Sequence, residues 1–298
     1  MKKKAAFVAV LGRPSVGKST LVNRLCGEKV AIVSAVPQTT RNAIRGIVNR
    51  EQGQLVFIDT PGRHNSQKKF NKKLMDVSAR AVDDSDLVLY VMDASRPPGL
   101  EEAEVAALLA PHTPRTVVAI NKSDLGNAGY GPYHEFMAQA LPGLDHNRCF
   151  PVSAIHNEGI EPLLAALFDL AGEGEPFYGE EYYTDQEAEF RIAEIIREQA
   201  INRLHQELPH ALYVEIADAQ FTDEQRCQKL WVRAFIIVER ESQKGIVVGN
   251  GGSMIKAIRL AALKELGRIF DWKIDLDLRV KTGKDWRHND GTLRRLIT

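Results

Sequence analysis

The chain has 298 residues, room for two domains with their own buried cores. It is 44% hydrophobic and 26% charged, and no apolar run reaches the roughly 20 residues of a membrane-spanning helix, which argues against an integral membrane protein. Formal net charge is zero, and three widely spaced cysteines (Cys26, Cys149, Cys227) suit neither a disulfide framework nor a metal site, so a reducing cytoplasm is expected.

The first apolar run, "AAFVAVL", leads directly into "GRPSVGKST" at 12–20, so it reads as a core strand rather than a secretion signal. G-x-x-x-x-G-K-S behind a strand is the phosphate-binding P-loop. Gly12 and Gly17 allow the tight turn that carries Arg13, Pro14, Ser15 and Val16 around a phosphate and points the main-chain N–H groups, which Pro14 lacks, inward at its oxygens. Lys18 reaches the β- and γ-phosphates, Ser19 offers a hydroxyl to Mg²⁺, and Thr20 continues the helix whose positive end faces the same anion.

Next comes "PQTTRN" at 37–42, placed where a switch segment belongs. Gln38, Thr39, Thr40 and Arg41 are assigned to it, with Thr40 as the hydroxyl that completes the Mg²⁺ shell. The strand "QLVFI" then ends on "DTPG" at 59–62. Asp59 is placed to hold Mg²⁺ through a water, Thr60 and Pro61 shape the turn, and Gly62 offers its N–H to a γ-phosphate. Ras-like proteins carry a water-orienting glutamine just beyond this motif; here Arg63 and His64 stand instead, so slow intrinsic hydrolysis is expected.

After the runs "DLVLYVM" and "TVVAI" comes "NKSD" at 121–124. The carboxylate of Asp124 only accepts, which matches the N1–H and N2–H₂ edge of guanine and not adenine. Asn121 ties neighbouring loops, the Lys122 stem lies over the ring, and Ser123 sits between. "VSA" at 152–154 brings Ser153 and Ala154 to the base, where its backbone is expected to contact the guanine oxygen. In this order the motifs specify GTP. Near-continuous apolar strands alternating with helices imply a mainly parallel sheet covered on both faces.

Residues 171–189, "AGEGEPFYGEEYYTDQEAE", hold seven acidic residues and no basic one. We take 1–172 as the first domain, 173–186 as an acidic linker and 187–298 as the second domain. The second reads as helix, strand, strand, helix, glycine loop, helix, strand. From Lys244 onward there are twelve Lys or Arg against six Asp or Glu, a basic face that the neutral total conceals. Within "QKGIVVGNGGSMIKAI", Gly249, Asn250, Gly251 and Gly252 form a G-x-x-G loop between helices, flanked by Lys244, Ile246, Lys256 and Arg259. Such a loop admits a single-stranded phosphate backbone close to a helix N-terminus.

Taken together, "GRPSVGKS", "PQTTRN", "DTPG", "NKSD", "VSA", "AEIIREQ…ELPHALYVEI" and "QKGIVVGNGGSMIKAI" resemble the Era family of bacterial GTPases over nearly the whole chain. The resemblance implies a Ras-like G domain joined to a type II KH domain. It also implies binding to the 3′ end of small-subunit ribosomal RNA, a role in maturing that subunit, and peripheral contact of a monomer with the cytoplasmic membrane. Two positions depart from the family pattern. Ser15 replaces a usual asparagine that helps bind potassium, so little potassium stimulation is expected; Arg63 replaces a usual apolar residue. The alternative is a membrane- or division-associated signalling GTPase whose KH-like domain binds protein.

Overall fold

The computed structural model describes residues 2–37, 39–62, 69–126, 130–224 and 227–297. They form two units: residues 1–33, 40–185 and 295–298, and residues 34–39 and 186–294.

The first unit begins with β1 (Lys4–Leu11) and α1 (Lys18–Cys26), followed by β2 (Ile44–Arg50), β3 (Gly53–Asp59) and α2 (Lys69–Asp83). It continues through β4 (Leu87–Asp93), α3 (Leu100–Leu109), β5 (Thr116–Asn121), α4 (Tyr130–Ala140), β6 (Cys149–Pro151) and α5 (Ile160–Leu170). The six strands lie in the order β2-β3-β1-β4-β5-β6, all parallel except that β2 runs antiparallel to β3. Every residue of β3, β4 and β5 is buried, which is why these strands carry continuous apolar sequence. On one face, Val88, Tyr90 and Met92 pack with Val105, Leu109, Tyr133 and Met137. Parallel register sets Val10 beside Asp59 and Asp93 beside Asn121, so both acids and the asparagine reach the carboxyl rim of the sheet.

The acidic stretch departs from the linker reading over most of its length. Residues 173–185 belong to the first unit, where Ile47 N–H donates to the Tyr183 carbonyl and Arg45 pairs with Asp185 at 2.7 Å. Buried Gln54 holds this segment from below, accepting from Phe177 N and Tyr178 N and donating to Tyr178 O.

The second unit has α6 (Ala188–Ile201), α7 (Leu208–Ala211), β7 (Leu212–Glu224), β8 (Cys227–Val238), α8 (Glu241–Val248), α9 (Ser253–Ile269) and β9 (Lys273–Thr282). A last short helix, α10, spans Asp290–Leu296. The sheet order is β7-β8-β9, antiparallel then parallel, with a bulge between Ile216 and Asp218. Alternate β8 residues Leu230, Val232, Ala234 and Ile236 face a core shared with Ile192 and Ile196 of α6 and Ile258, Ala262 and Leu266 of α9. No single helix among the described residues is long and apolar enough to cross a membrane.

Candidate functional site

At the end of β1 the chain turns through residues 12–17 and enters α1 at Lys18. Gly17 adopts φ +95°, and a Cβ there would lie 2.5 Å from Nδ2 of Asn121. A side chain has no room at this turn. Lys18 Nζ donates to the carbonyls of Gly12 and Arg13 at 3.0 and 3.1 Å. Burial pulls its ammonium down to about 8, against the opposing pull of Asp59 and Glu102. Gly62 closes over the same lysine: a Cβ there would meet the Pro14 Cα at 2.8 Å and Lys18 Nζ at 3.1 Å. Thr60 is spent on structure, its hydroxyl donating to the Val10 carbonyl, while the Pro61 carbonyl accepts from Ser78.

Three oxygens converge beside this loop. Ser19 Oγ donates to Asp59 Oδ2 at 2.6 Å and lies 3.0 Å from Thr40 Oγ1, which reaches the same carboxylate oxygen at 3.3 Å. Asp59 is fully buried, and its other oxygen, Oδ1, has no hydrogen-bond partner. Burial raises its pKa, with Lys18, Ser19 and Thr40 working the other way. Two hydroxyls and an acid with an orphaned buried oxygen form a hard donor set of the kind Mg²⁺ takes. The residues present fit that ion. Thr39 lies differently: its hydroxyl donates to Val36 O, and its carbonyl accepts from Arg197 Nη2 at 2.6 Å within the second unit. Arg41 is buried. Gln38, Arg63 and His64 lie outside the described residues.

The base motif follows β5. Asn121 Nδ2 donates to the Val16 carbonyl at 2.8 Å, and its Oδ1 accepts from Ala154 N at 3.1 Å, so one amide joins the phosphate loop to the 152–154 turn. Lys122, at φ +64°, donates to Ser15 O and Asp93 Oδ2, both at 2.8 Å. Asp124 Oδ1 accepts from the buried Ser153 hydroxyl at 2.6 Å. That hydrogen bond holds its pKa below the usual carboxylate range, which suits an acceptor. Ser153 thus aims Asp124 with its side chain, a role the backbone-only expectation missed. Asp93 was also missed. Burial raises its pKa, but donors from Lys122 and Ser95 outweigh that and leave it lowered. The available signal was an acid at the end of "LYVMD", on the same rim as Asp59.

In the second unit, α8 ends at Gly249 and α9 starts at Ser253, with Gly249, Gly251 and Gly252 all at positive φ. No side chain caps the N-terminus of α9, and a Cβ on Gly251 or Gly252 would meet nothing within 4 Å. The loop is open to a ligand, and its N–H groups are not claimed by a capping side chain. Asn250, Lys256 and Ile246 are exposed. Lys244 pairs with Glu241 at 2.9 Å. Arg259 donates to the Leu276 carbonyl and lies 3.5 Å from Asp275, so much of its charge is committed to β9.

A Ras-like P-loop G domain followed by a KH domain is the class that this fold and these motifs define. Residues 7–122 match the family described as 50S ribosome-binding GTPase, and residues 207–287 match the KH domain. GTPase Era of Treponema denticola is 47% identical over 98% of this chain and 99% of its own, and GTPase Era of Borreliella burgdorferi 42% over 99% of each. A crystal structure of Era with MgGDPNP and nucleotides 1506–1542 of 16S ribosomal RNA is similar at TM-score 0.92 and 30% identity, covering 99% of this chain and 98% of that one. Aquifex aeolicus Era bound to GDP·AlF₄⁻ matches at TM-score 0.91 and 29% identity, over 98% of each chain. The chain belongs to the Era family of GTPases.

Proposed function

We propose that this GTPase binds the 3′ end of small-subunit ribosomal RNA through its KH domain and assists maturation of the small subunit. One observation carries this reading: the likeness, over 99% of the chain, to the Era solved with that stretch of 16S RNA. The open glycine loop supports it, because a protein-binding face would need no uncapped helix start flanked by exposed Lys256. That favours RNA over a protein-binding signalling role.

In this reading the main-chain N–H groups of the 12–17 loop, all but Pro14, and Lys18 hold the β- and γ-phosphates, with Thr20 beside them. Gly62 offers its N–H to the γ-phosphate, Asp124 accepts from the guanine edge, and Asn121, Lys122, Ser123, Ser153 and Ala154 complete the base site. Ser19, Thr40 and Asp59 would hold Mg²⁺, Asp59 through a water; the ion would supply positive charge against the β- and γ-phosphates. Thr40 reaches that cluster from the switch segment, so the segment orders when a γ-phosphate is present. With no glutamine after Gly62, turnover by the protein alone is slow, on the order of 10⁻⁴–10⁻² s⁻¹. Peripheral contact of a monomer with the inner face of the cell membrane rests on the family resemblance alone. Flotation with anionic vesicles tests it.

The experiment for the main claim is fluorescence anisotropy with a single-stranded 16S 3′-end oligonucleotide, titrated with salt. Binding should weaken steadily with salt as counterions are retained on the phosphates, and a duplex of the same sequence should compete poorly. Equal affinity for duplex and single strand overturns the reading.

A further inference from the structure

The side chain of Arg13 turns away from the phosphate cradle that its main chain helps form. Arg13 is 5% exposed, with Nε 2.8 Å from Glu102 Oε1 as an ion pair and Nη2 donating to the Tyr133 hydroxyl at 3.2 Å. Glu102, in the first turn of α3, is fully buried. It also accepts from the Tyr133 hydroxyl at 2.9 Å and from the Tyr90 hydroxyl at 2.5 Å. Burial and this carboxylate push both phenols up, so they remain protonated donors. One carboxylate therefore joins the phosphate loop to β4, α3 and α4.

The loop needs such a hold. Gly12, Ser15 and Gly17 stand at φ +154°, +64° and +95°. A non-glycine residue in the left-handed region persists only where its surroundings fix it. Lys122 and Asn121 grip the far half of the loop, at Ser15 and Val16. Arg13 grips the near half, and it does so without using any group that a phosphate would claim.

We infer that Glu102, supported by Tyr90 and Tyr133, is a positioning residue that acts through Arg13 to fix the main-chain N–H groups of the 12–17 loop, all but Pro14, for the β-phosphate. This rests on reading 12–20 as the phosphate loop. Only the phosphate end of the nucleotide should feel its loss.

The test is isothermal calorimetry of the full chain with Mg²⁺ and either GDP or GMP, alongside thermal melts without nucleotide. In Glu102→Gln, the preference for GDP over GMP should fall about tenfold, the change made by one ordinary hydrogen bond, while GMP affinity moves less than twofold. That variant leaves the Arg13 charge buried without its counter-ion, so its stability also falls. The double variant Arg13→Met/Glu102→Gln removes both charges and keeps an acceptor for the tyrosines. It should melt closer to the unmutated protein yet show the same tenfold loss. A GDP preference within twofold of the unmutated value in either variant overturns the inference. So does an equal loss for GDP and GMP, the mark of a merely structural role. An unmutated protein without any preference for GDP overturns the phosphate-loop reading itself, a result distinguishable from the other two.

Discussion

Base choice comes down to one carboxylate and the hydroxyl that aims it. Asp124 accepts from Ser153 through Oδ1, which fixes the carboxylate that we propose meets the guanine edge. Asp124→Asn replaces one acceptor with a donor, the arrangement that the exocyclic oxygen of xanthine requires. Competition against labelled GTP should show the variant losing GTP and gaining xanthosine triphosphate, whereas ATP should compete poorly with either protein. Displacement of GTP from the unmutated protein by equal amounts of ATP removes the assignment. Ser153→Ala should act in the same direction but more weakly, since it loosens the acceptor without changing its chemistry. At this scale the sequence is legible wherever a motif fixes spacing: Lys18, Ser19, Asp59, Asn121 and Asp124 all converge on one rim. It is not legible for Asp93 and Glu102. A buried acid and a solvated one look alike in a string of letters, and only the fold reveals that each is surrounded by donors.

Among the elements, strands that are buried on both faces declare themselves, and the mixed edge strand β2 does not. β4 and β5 are unbroken apolar runs, while β2, "IRGIVNR", mixes charge, glycine and β-branched residues because it lies at the edge of the sheet. It escaped the sequence reading. The amphipathic pattern of "EAEFRIAEIIREQAINRLHQEL" runs on past the end of α6, which stops at Ile201, where Leu204 turns into the core and Gln206 takes φ +58°. Beyond β8, Glu239 holds the segment after β9: Arg287 donates to its two carboxylate oxygens at 2.8 and 2.5 Å. Those hydrogen bonds lower the Glu239 pKa below its ordinary 4.5. A depressed carboxylate contributes stability that is present above its unfolded pKa and is lost as pH falls through the folded one. All three tryptophans, Trp231, Trp272 and Trp286, belong to the second unit, so tryptophan fluorescence reports its unfolding alone. Arg287→Ala should cost that transition about 1–2 kcal/mol near neutrality, the lower part of the charged hydrogen-bond range because Arg287 is one-third exposed. The deficit should narrow as pH drops from about 4.5 towards 3. A deficit independent of pH would show that Arg287 stabilises by packing alone.

At the scale of the whole molecule, the nucleotide contacts and the glycine loop are built from different stretches of chain with separate cores. That separation makes the RNA claim testable without disturbing the GTPase. Asp at both Asn250 and Gly251 sets two carboxylates against the phosphates of a bound strand. Asn250 is exposed, and a Cβ on Gly251 meets nothing within 4 Å, so neither substitution collides with the fold. Gly251 stands at φ +58°, a region that aspartate tolerates better than most residues, and Gly249 and Gly252 remain to make the turn. Binding of the 16S 3′-end oligonucleotide should fall by at least two decades, since repulsion replaces attraction at the point of closest approach. GTP affinity and the tryptophan-reported melt should stay within error of the unmutated protein. RNA affinity that survives both carboxylates removes the glycine loop from the interface and shifts the claim to another face of the second unit. Loss of GTP affinity along with RNA affinity would instead mean that the two sites are not energetically separate.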